Sequence, residues 1–199
     1  METSYQLEFA TSDYIEEIAK YSSEMALETE KKILKSETVL EATKKVVEDP
    51  SCGFSLITLQ KEKLASFLNG CFFFDYSTNG LVGFINSVYV TKEHRRKGLF
   101  NKMYDKMIEK ALQMEAKFIR LHCDIDNLGA KKVYEAIGMK QTEDELFNID
   151  LLSSSTNDVE FRSVYYELLD ECEFTLKPAA RPEIEGLKME NFVSILHSD

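Results

Sequence analysis

The 199-residue chain has few cysteines, no long apolar run and a shortage of positive charge. Its cysteines form no CxxC pair and have no histidine at metal-ligand spacing, so the pattern predicts reduced thiols and no zinc site. No segment approaches the roughly 20 apolar residues of a membrane span, and the acidic amino-terminal segment has no apolar signal core. We therefore expect a cytoplasmic protein without membrane contact, and a nuclear location is also compatible.

The net charge of -11 reflects 24 basic against 35 acidic residues. Nucleic acids are bound mainly through surplus Lys and Arg, so this balance argues against general nucleic-acid binding. It favours a cationic partner, although the same charge would serve solubility alone. The length and a hydrophobic fraction of 44% predict one substantial core in one domain, with room for an appendage.

Apolar periodicity predicts a mixed α/β (α+β) fold. Strands are expected where β-branched and aromatic residues cluster or alternate, and helices where apolar residues recur every three to four positions. Asn79-Gly80 predicts a tight turn between two strands, and Asn127 predicts a helix cap. The expected strands are 5–10, 53–59, 64–74, 81–90, 117–125 and 145–152, and the expected helices are 11–27, 36–50, 99–114 and 127–137.

The polar stretch 153–158 predicts a linker. After it, apolar residues at helical spacing predict two amphipathic helices. We therefore divide the chain into a main domain, 1–152, and a helical carboxy-terminal extension, 153–199.

A basic triplet, Arg95, Arg96 and Lys97, stands between a predicted strand and a predicted helix and is followed by Gly98. A helix that begins after such a loop exposes unpaired backbone N–H groups at the positive end of its dipole, which suits an anion. Neither GxxxxGK[ST] nor GxGxxG is present. The stretch predicts a phosphate site of another type, and a solvated basic turn is the alternative.

Two motifs here resemble those of the GNAT superfamily of acetyl-CoA-dependent N-acetyltransferases. The family's pyrophosphate loop, [QR]-x-x-G-x-[GA], is matched by residues 95–100 except that Phe100 replaces the final small residue. About 25 residues later, the Asn, Ala and Tyr with which the family meets its coenzyme correspond to Asn127, Ala130 and Tyr134. The Glu-Thr-Glu at 28–30 is similar to a segment of small bacterial-type members.

The resemblance, which spans roughly residues 5–150, implies a twisted and mostly antiparallel sheet of six to seven strands. This sheet splays between strands four and five and is flanked by helices. It also implies direct transfer of acetyl from acetyl-CoA, without a metal, to a primary amine of a small molecule or peptide in a ternary complex. A catalytically silent acetyl-CoA-binding module is the alternative. The extension would cover the sheet, the acceptor cleft or a second subunit of a homodimer.

The resemblance further implies a set of site residues. Val88 would donate its N–H to the oxyanion, Val90 would contact the pantetheine arm, and Tyr134 would protonate the departing thiolate. The helical spacing around Tyr134 also fits a core aromatic, and we expect Phe100 to point into the core. The implied coenzyme contacts are Val88, Tyr89, Val90, Arg95, Arg96, Lys97, Gly98, Leu99, Phe100, Asn101, Asn127, Ala130 and Tyr134.

The sequence does not mark the general base. Many GNAT members carry a glutamate on strand four, but residues 84–87 here read Phe-Ile-Asn-Ser. Glu28 and Glu30 are the remaining candidates, either accepting the amine proton through water or pairing with a cationic acceptor. The alternative is that both are solvated charges at a helix end. The acidity of the chain favours a cationic acceptor such as a polyamine, an aminosugar or a basic peptide.

Overall fold

The computed structural model describes residues 4–144. In this range the elements follow one another in the order that the sequence predicts. The predicted strand at 145–152, the domain boundary and the helical extension lie outside the described residues. The strands are β1 (Gln6–Phe9), β2 (Phe54–Gln60), β3 (Lys63–Asp75), β4 (Gly80–Val90) and β5 (Phe118–Leu121), and the helices are α1 (Ile15–Glu30), α2 (Ser36–Glu48), α3 (Leu99–Gln113) and α4 (Leu128–Ala136).

The described strands form one five-stranded sheet in the order β1-β2-β3-β4-β5. Strands β1 to β4 pair antiparallel, and β5 joins β4 in parallel through the crossover helix α3. The β3–β4 hairpin turns at Asn79, whose φ of 48° is left-handed, directly before Gly80. This mostly antiparallel sheet flanked by helices confirms the predicted fold class, with five strands rather than six or seven in the described region.

Strands β4 and β5 are paired over only part of their length. The parallel register ends at Ile85 and Leu121, whereas β4 continues to Val90. The β3–β4 register shifts at the same point and leaves Asn86 as an extra residue, which is a β-bulge. The expected splay is therefore present, and it opens a gap beside residues 86–90.

The sheet separates two apolar cores, because alternate side chains of each strand point to opposite faces. Phe67 and Tyr89 face α1, where Ile18 is fully buried. On the other face, Met103 and Met107 of α3 pack on the sheet and are also fully buried. No helix within residues 4–144 has both the length and the apolar character needed to cross a bilayer.

Candidate active site

The basic loop enters α3 through backbone conformations that favour glycine. Arg96 has a φ of 60° and Gly98 a φ of 72°. A Cβ built on Gly98 would meet no atom within 4 Å, so the left-handed backbone, not crowding, makes glycine suitable there. The first backbone bond of α3 runs from the N–H of Lys102 to the carbonyl of Gly98 at 3.1 Å. Within the described region, no acceptor takes the N–H groups of the first three helical residues, and a helix end of this kind suits an anion.

The side chains of the three loop cations, Arg95, Arg96 and Lys97, differ in their contacts. Arg95 is engaged by Glu28, with Nη1–Oε1 and Nη2–Oε2 distances of 2.8 and 3.0 Å, and its Nε donates to the carbonyl of Val90 at 3.0 Å. Lys97 donates to a backbone carbonyl four residues earlier. Arg96 is exposed and has no ion pair among residues 4–144. Arg96 is therefore the loop cation whose side chain is available for an anion.

Glu28 joins the end of α1 to this loop. It also accepts a hydrogen bond from the hydroxyl of Tyr89 at 3.3 Å. The hydrogen bond from Arg95 is the main cause of the lowered pKa of Glu28, so this carboxylate is a weaker base than an ordinary glutamate. Glu30 is likewise paired, with Lys32 at 2.6 Å. Both candidate bases lie in ion pairs, and the lowered pKa of Glu28 is the opposite of the shift that would suit proton abstraction.

The side chain of Tyr89 lies in the core. It is 6% exposed and packs on the α1 face, below the guanidinium of Arg95. A coenzyme in the gap beside β4 would therefore meet the backbone at this position. Residues 88–90 are all expected to contact the coenzyme, and at Tyr89 that contact would come from the main chain.

The backbone of β4 offers N–H groups to the gap. The N–H of Thr91 donates to the carbonyl of Ala65 at 3.0 Å, so alternation in the antiparallel ladder turns the N–H groups of Val88 and Val90 away from β3. They face the side where β5 has parted from β4. This is the geometry that an oxyanion donor and a pantetheine contact require.

Helix α4 positions Tyr134. The Oδ1 of Asn127 caps this helix by accepting the N–H of Ala130 at 3.1 Å, as the sequence predicts, and Gly138 with a φ of 90° follows its end. Burial is the main cause that raises the pKa of Tyr134 to about 12. The phenol therefore keeps its proton at ordinary pH and can act as a hydrogen-bond donor.

Phe100 does not enter the core as expected. Its half-buried ring stacks on Tyr104 with a centroid distance of 5.7 Å and meets Tyr134 edge-on at 5.8 Å. The aromatic side chain thus bridges α3 and α4. It fills the space between the basic loop that precedes α3 and Tyr134, the candidate acid. This contact gives a structural reason for a large residue where the family motif has a small one.

A cavity of about 470 Å³ lies on the α1–α2 face of the sheet. Its wall is formed mainly by apolar side chains of the two helices and of the segment between them. The sheet contributes Asn69 and Ser87, which are joined by a bond of 3.0 Å from Nδ2 to Oγ. These two residues are cross-strand partners directly beside the Asn86 bulge. No local pattern in the sequence predicts this pair.

The splayed sheet, the helix end whose first three N–H groups have no acceptor among residues 4–144, and the protonated phenol are the arrangement expected of an acyltransferase that uses an acyl-coenzyme A. A family model described as "Acetyltransferase (GNAT) family" matches residues 14–139. The chain belongs to the GNAT acetyltransferase family and is an acetyl-CoA-dependent acyltransferase. A comparison with curated proteins finds no match.

Solved acetyltransferase structures share this fold. A possible acetyltransferase from Clostridium difficile 630 is 25% identical, with a TM-score of 0.69 over 75% of this chain and 99% of that chain. Ribosomal-protein-alanine N-acetyltransferase from Brucella melitensis biovar Abortus 2308 is 16% identical, with a TM-score of 0.59 over 74% and 100%. Aminoglycoside N-acetyltransferase AAC(6')-Iy in complex with CoA is 14% identical, with a TM-score of 0.65 over 76% and 97%.

Proposed function

We propose that this enzyme transfers acetyl from acetyl-CoA directly to a primary amine of a small molecule or peptide in a ternary complex. The observation that carries the proposal is that Phe100 links the free amino-terminal end of α3 to Tyr134. An anion site and a protonated phenol are thereby held on neighbouring helices. Acetyl-CoA supplies the activated thioester, and the chain supplies binding, orientation and proton transfer.

The residues at the helix end suit a pyrophosphate. The three N–H groups and the guanidinium of Arg96, which have no partner among residues 4–144, would donate to phosphate oxygens, and Gly98 leaves open space beside them. Asn127 caps α4 through the N–H of Ala130, and the contact between Phe100 and Tyr134 holds this helix beside α3. The N–H groups of β4 that face the gap would hold the pantetheine arm.

The transfer itself needs one bond to form and one to break. The amine nitrogen attacks the carbonyl carbon, and the carbon–sulfur bond breaks. The N–H of Val88 would donate to the carbonyl oxygen as it becomes negative, a contribution of roughly 3 kcal/mol for a well-placed donor. Tyr134 would give its proton to the departing sulfur and regain one from solvent, while the proton lost by the amine passes to water.

Exchanging Glu28 for Gln should lower the free energy of unfolding by about 1 kcal/mol or less and leave kcat within a few-fold, because Glu28 holds the loop through Arg95. The lowered pKa of Glu28 means that this stabilisation is present above the carboxylate's unfolded pKa. It is lost as pH falls through the lower folded value, so the two proteins should converge in acid. Urea unfolding at neutral and acid pH measures the difference.

A Glu30→Gln variant is the matched control, since Glu30 ends the same helix but pairs with Lys32. In all three proteins kcat/KM should rise with pH towards the pKa of the amine itself. A loss of kcat of a hundredfold or more in Glu28→Gln, with loss of that rise, would instead identify Glu28 as the base.

The proposed reaction is tested with the full chain, acetyl-CoA and a panel of amines. We expect thiol release that depends on the amine, and a product whose mass has increased by one acetyl group. Omitting the amine measures background hydrolysis. Tight acetyl-CoA binding without amine-dependent thiol release across the panel would favour the catalytically silent binding module.

A further inference from the structure

The cavity on the α1–α2 face has an unsatisfied polar group on its floor. Asn69 is 9% exposed, and its Oδ1 is buried without a hydrogen-bond partner among the described residues. A buried acceptor without a donor costs roughly 1–3 kcal/mol. A ligand N–H would satisfy this oxygen, and the hydroxyl of Ser87 beside it is a second acceptor.

This floor is adjacent to the place where the acetyl group must be attacked. Ser87 immediately precedes Val88, whose N–H faces the gap between β4 and β5. The bulge at Asn86 lies on the other side of Ser87. A nitrogen held at Asn69 and Ser87 would therefore lie next to the proposed oxyanion donor.

The wall of the cavity is apolar and includes Met25, Leu34, Val39 and Val46. Its charged lining side chain is Lys35, and no carboxylate lines the cavity within residues 4–144. A polycation placed here would lose hydration without gaining a carboxylate partner. The volume of about 470 Å³ is typical of a small-molecule site.

We propose that Asn69 and Ser87 bind the acceptor nitrogen, and that the acceptor is a primary amine on an aliphatic or aromatic body. This inference rests on the proposed acetyl transfer. It differs from the expectation, based on net charge, of a polyamine, an aminosugar or a basic peptide. The overall charge steers ligands at long range, whereas the cavity wall decides which body is buried.

The first test compares 2-phenylethylamine and hexylamine with spermidine and kanamycin. We expect kcat/KM to be at least roughly tenfold higher for the two apolar amines, since each buried methylene favours binding. A higher value for spermidine or kanamycin would overturn the acceptor class while leaving acetyl transfer intact. If no amine is acetylated, the proposed function fails. Calorimetric titration of 2-phenylethylamine and of spermidine into the CoA-bound protein then tests separately which amine the cavity binds. Binding of 2-phenylethylamine but not spermidine supports the inference, and any other result overturns it.

The second test replaces Asn69 with Leu, which has a similar volume and no polar atoms. The KM for 2-phenylethylamine should rise roughly 10- to 100-fold, with an unchanged KM for acetyl-CoA. The melting temperature should not fall, because an unsatisfied buried oxygen has been removed. A purely structural role for Asn69 would not produce this combination.

Ser55→Ala is the matched control, since Ser55 also carries a buried hydroxyl without a hydrogen-bond partner in the range 4–144 but does not line this cavity. It should leave the KM for the amine unchanged. Should Asn69→Leu fold poorly, Ser87→Ala removes the second acceptor, together with the bond from Asn69 Nδ2, and should raise the same KM severalfold. If Asn69→Leu folds and its KM for the amine is unchanged, the assignment of Asn69 and Ser87 to the acceptor nitrogen is overturned. If Ser87→Ala has to be used instead, an unchanged KM for the amine overturns it equally.

Discussion

Replacing Tyr134 with Phe is expected to lower kcat roughly 100- to 1,000-fold and to leave the Kd for acetyl-CoA within about twofold. The substitution removes one hydroxyl and keeps the ring that packs against Phe100, so the link between α3 and α4 should be preserved. Only the donor to the departing sulfur is lost. Steady-state kinetics with saturating acetyl-CoA and a calorimetric Kd separate the two quantities.

Tyr104→Phe provides the control for this experiment. Tyr104 stacks on the same Phe100 ring, and burial likewise raises its pKa, but it lies on α3 rather than α4. Its loss should leave kcat within about twofold. Equal turnover in Tyr134→Phe and the wild type would mean that Tyr134 is a packing aromatic, which its helical spacing alone also allows.

The pKa of about 12 for Tyr134 gives a second check on the same assignment. A raised pKa keeps the phenol protonated, so the acid should remain competent up to about pH 10. The wild-type rate should therefore show no descending limb from Tyr134 below that pH. A descending limb near neutral pH that disappears in Tyr134→Phe would contradict the raised pKa.

The features that the sequence predicts well depend on near neighbours. Asn79 ends the β3–β4 turn directly before Gly80 because its side chain tolerates left-handed backbone, and Asn127 caps α4 by reaching an N–H three residues away. Gly98 is recognisable for the same reason, since the conformation it adopts is set by the loop itself. Such signals suffice to order the elements and to place the basic loop before α3.

The features that the sequence did not predict are pairs distant along the chain. Arg95 meets Glu28, and Phe100 meets Tyr134, only after the helices have docked. Asn69 pairs with Ser87 beside a register shift at the bulge, and the residue type at position 86 does not predict that bulge. Glu28 and Glu30, the candidate bases in the sequence, therefore lie in ion pairs that the sequence does not predict. The same holds for the polar pair on the floor of the cavity, Asn69 and Ser87.

Reversing the charge of Arg96 to Glu is expected to raise the Kd for acetyl-CoA roughly 10- to 100-fold. Arg96 has no ion pair among the described residues and precedes the unpaired N–H groups of α3, so a carboxylate there would repel phosphate oxygens. Because Tyr134 and the β4 backbone are unaffected, kcat at saturating acetyl-CoA should change little. The loss of affinity should shrink as salt is added, since exposed charges are screened.

Lys61→Glu is a close control for that reversal. Lys61 is also exposed, has a similar left-handed φ of 51°, and undergoes the same change of charge, but it lies in the β2–β3 turn and not in the loop that precedes α3. It should leave the Kd unchanged, which would separate a local phosphate contact from the added net negative charge. If the two variants bind acetyl-CoA equally well, the triplet is a solvated turn. In that case the helix N–H groups and Lys97 would have to hold the pyrophosphate, because Arg95 is already engaged by Glu28.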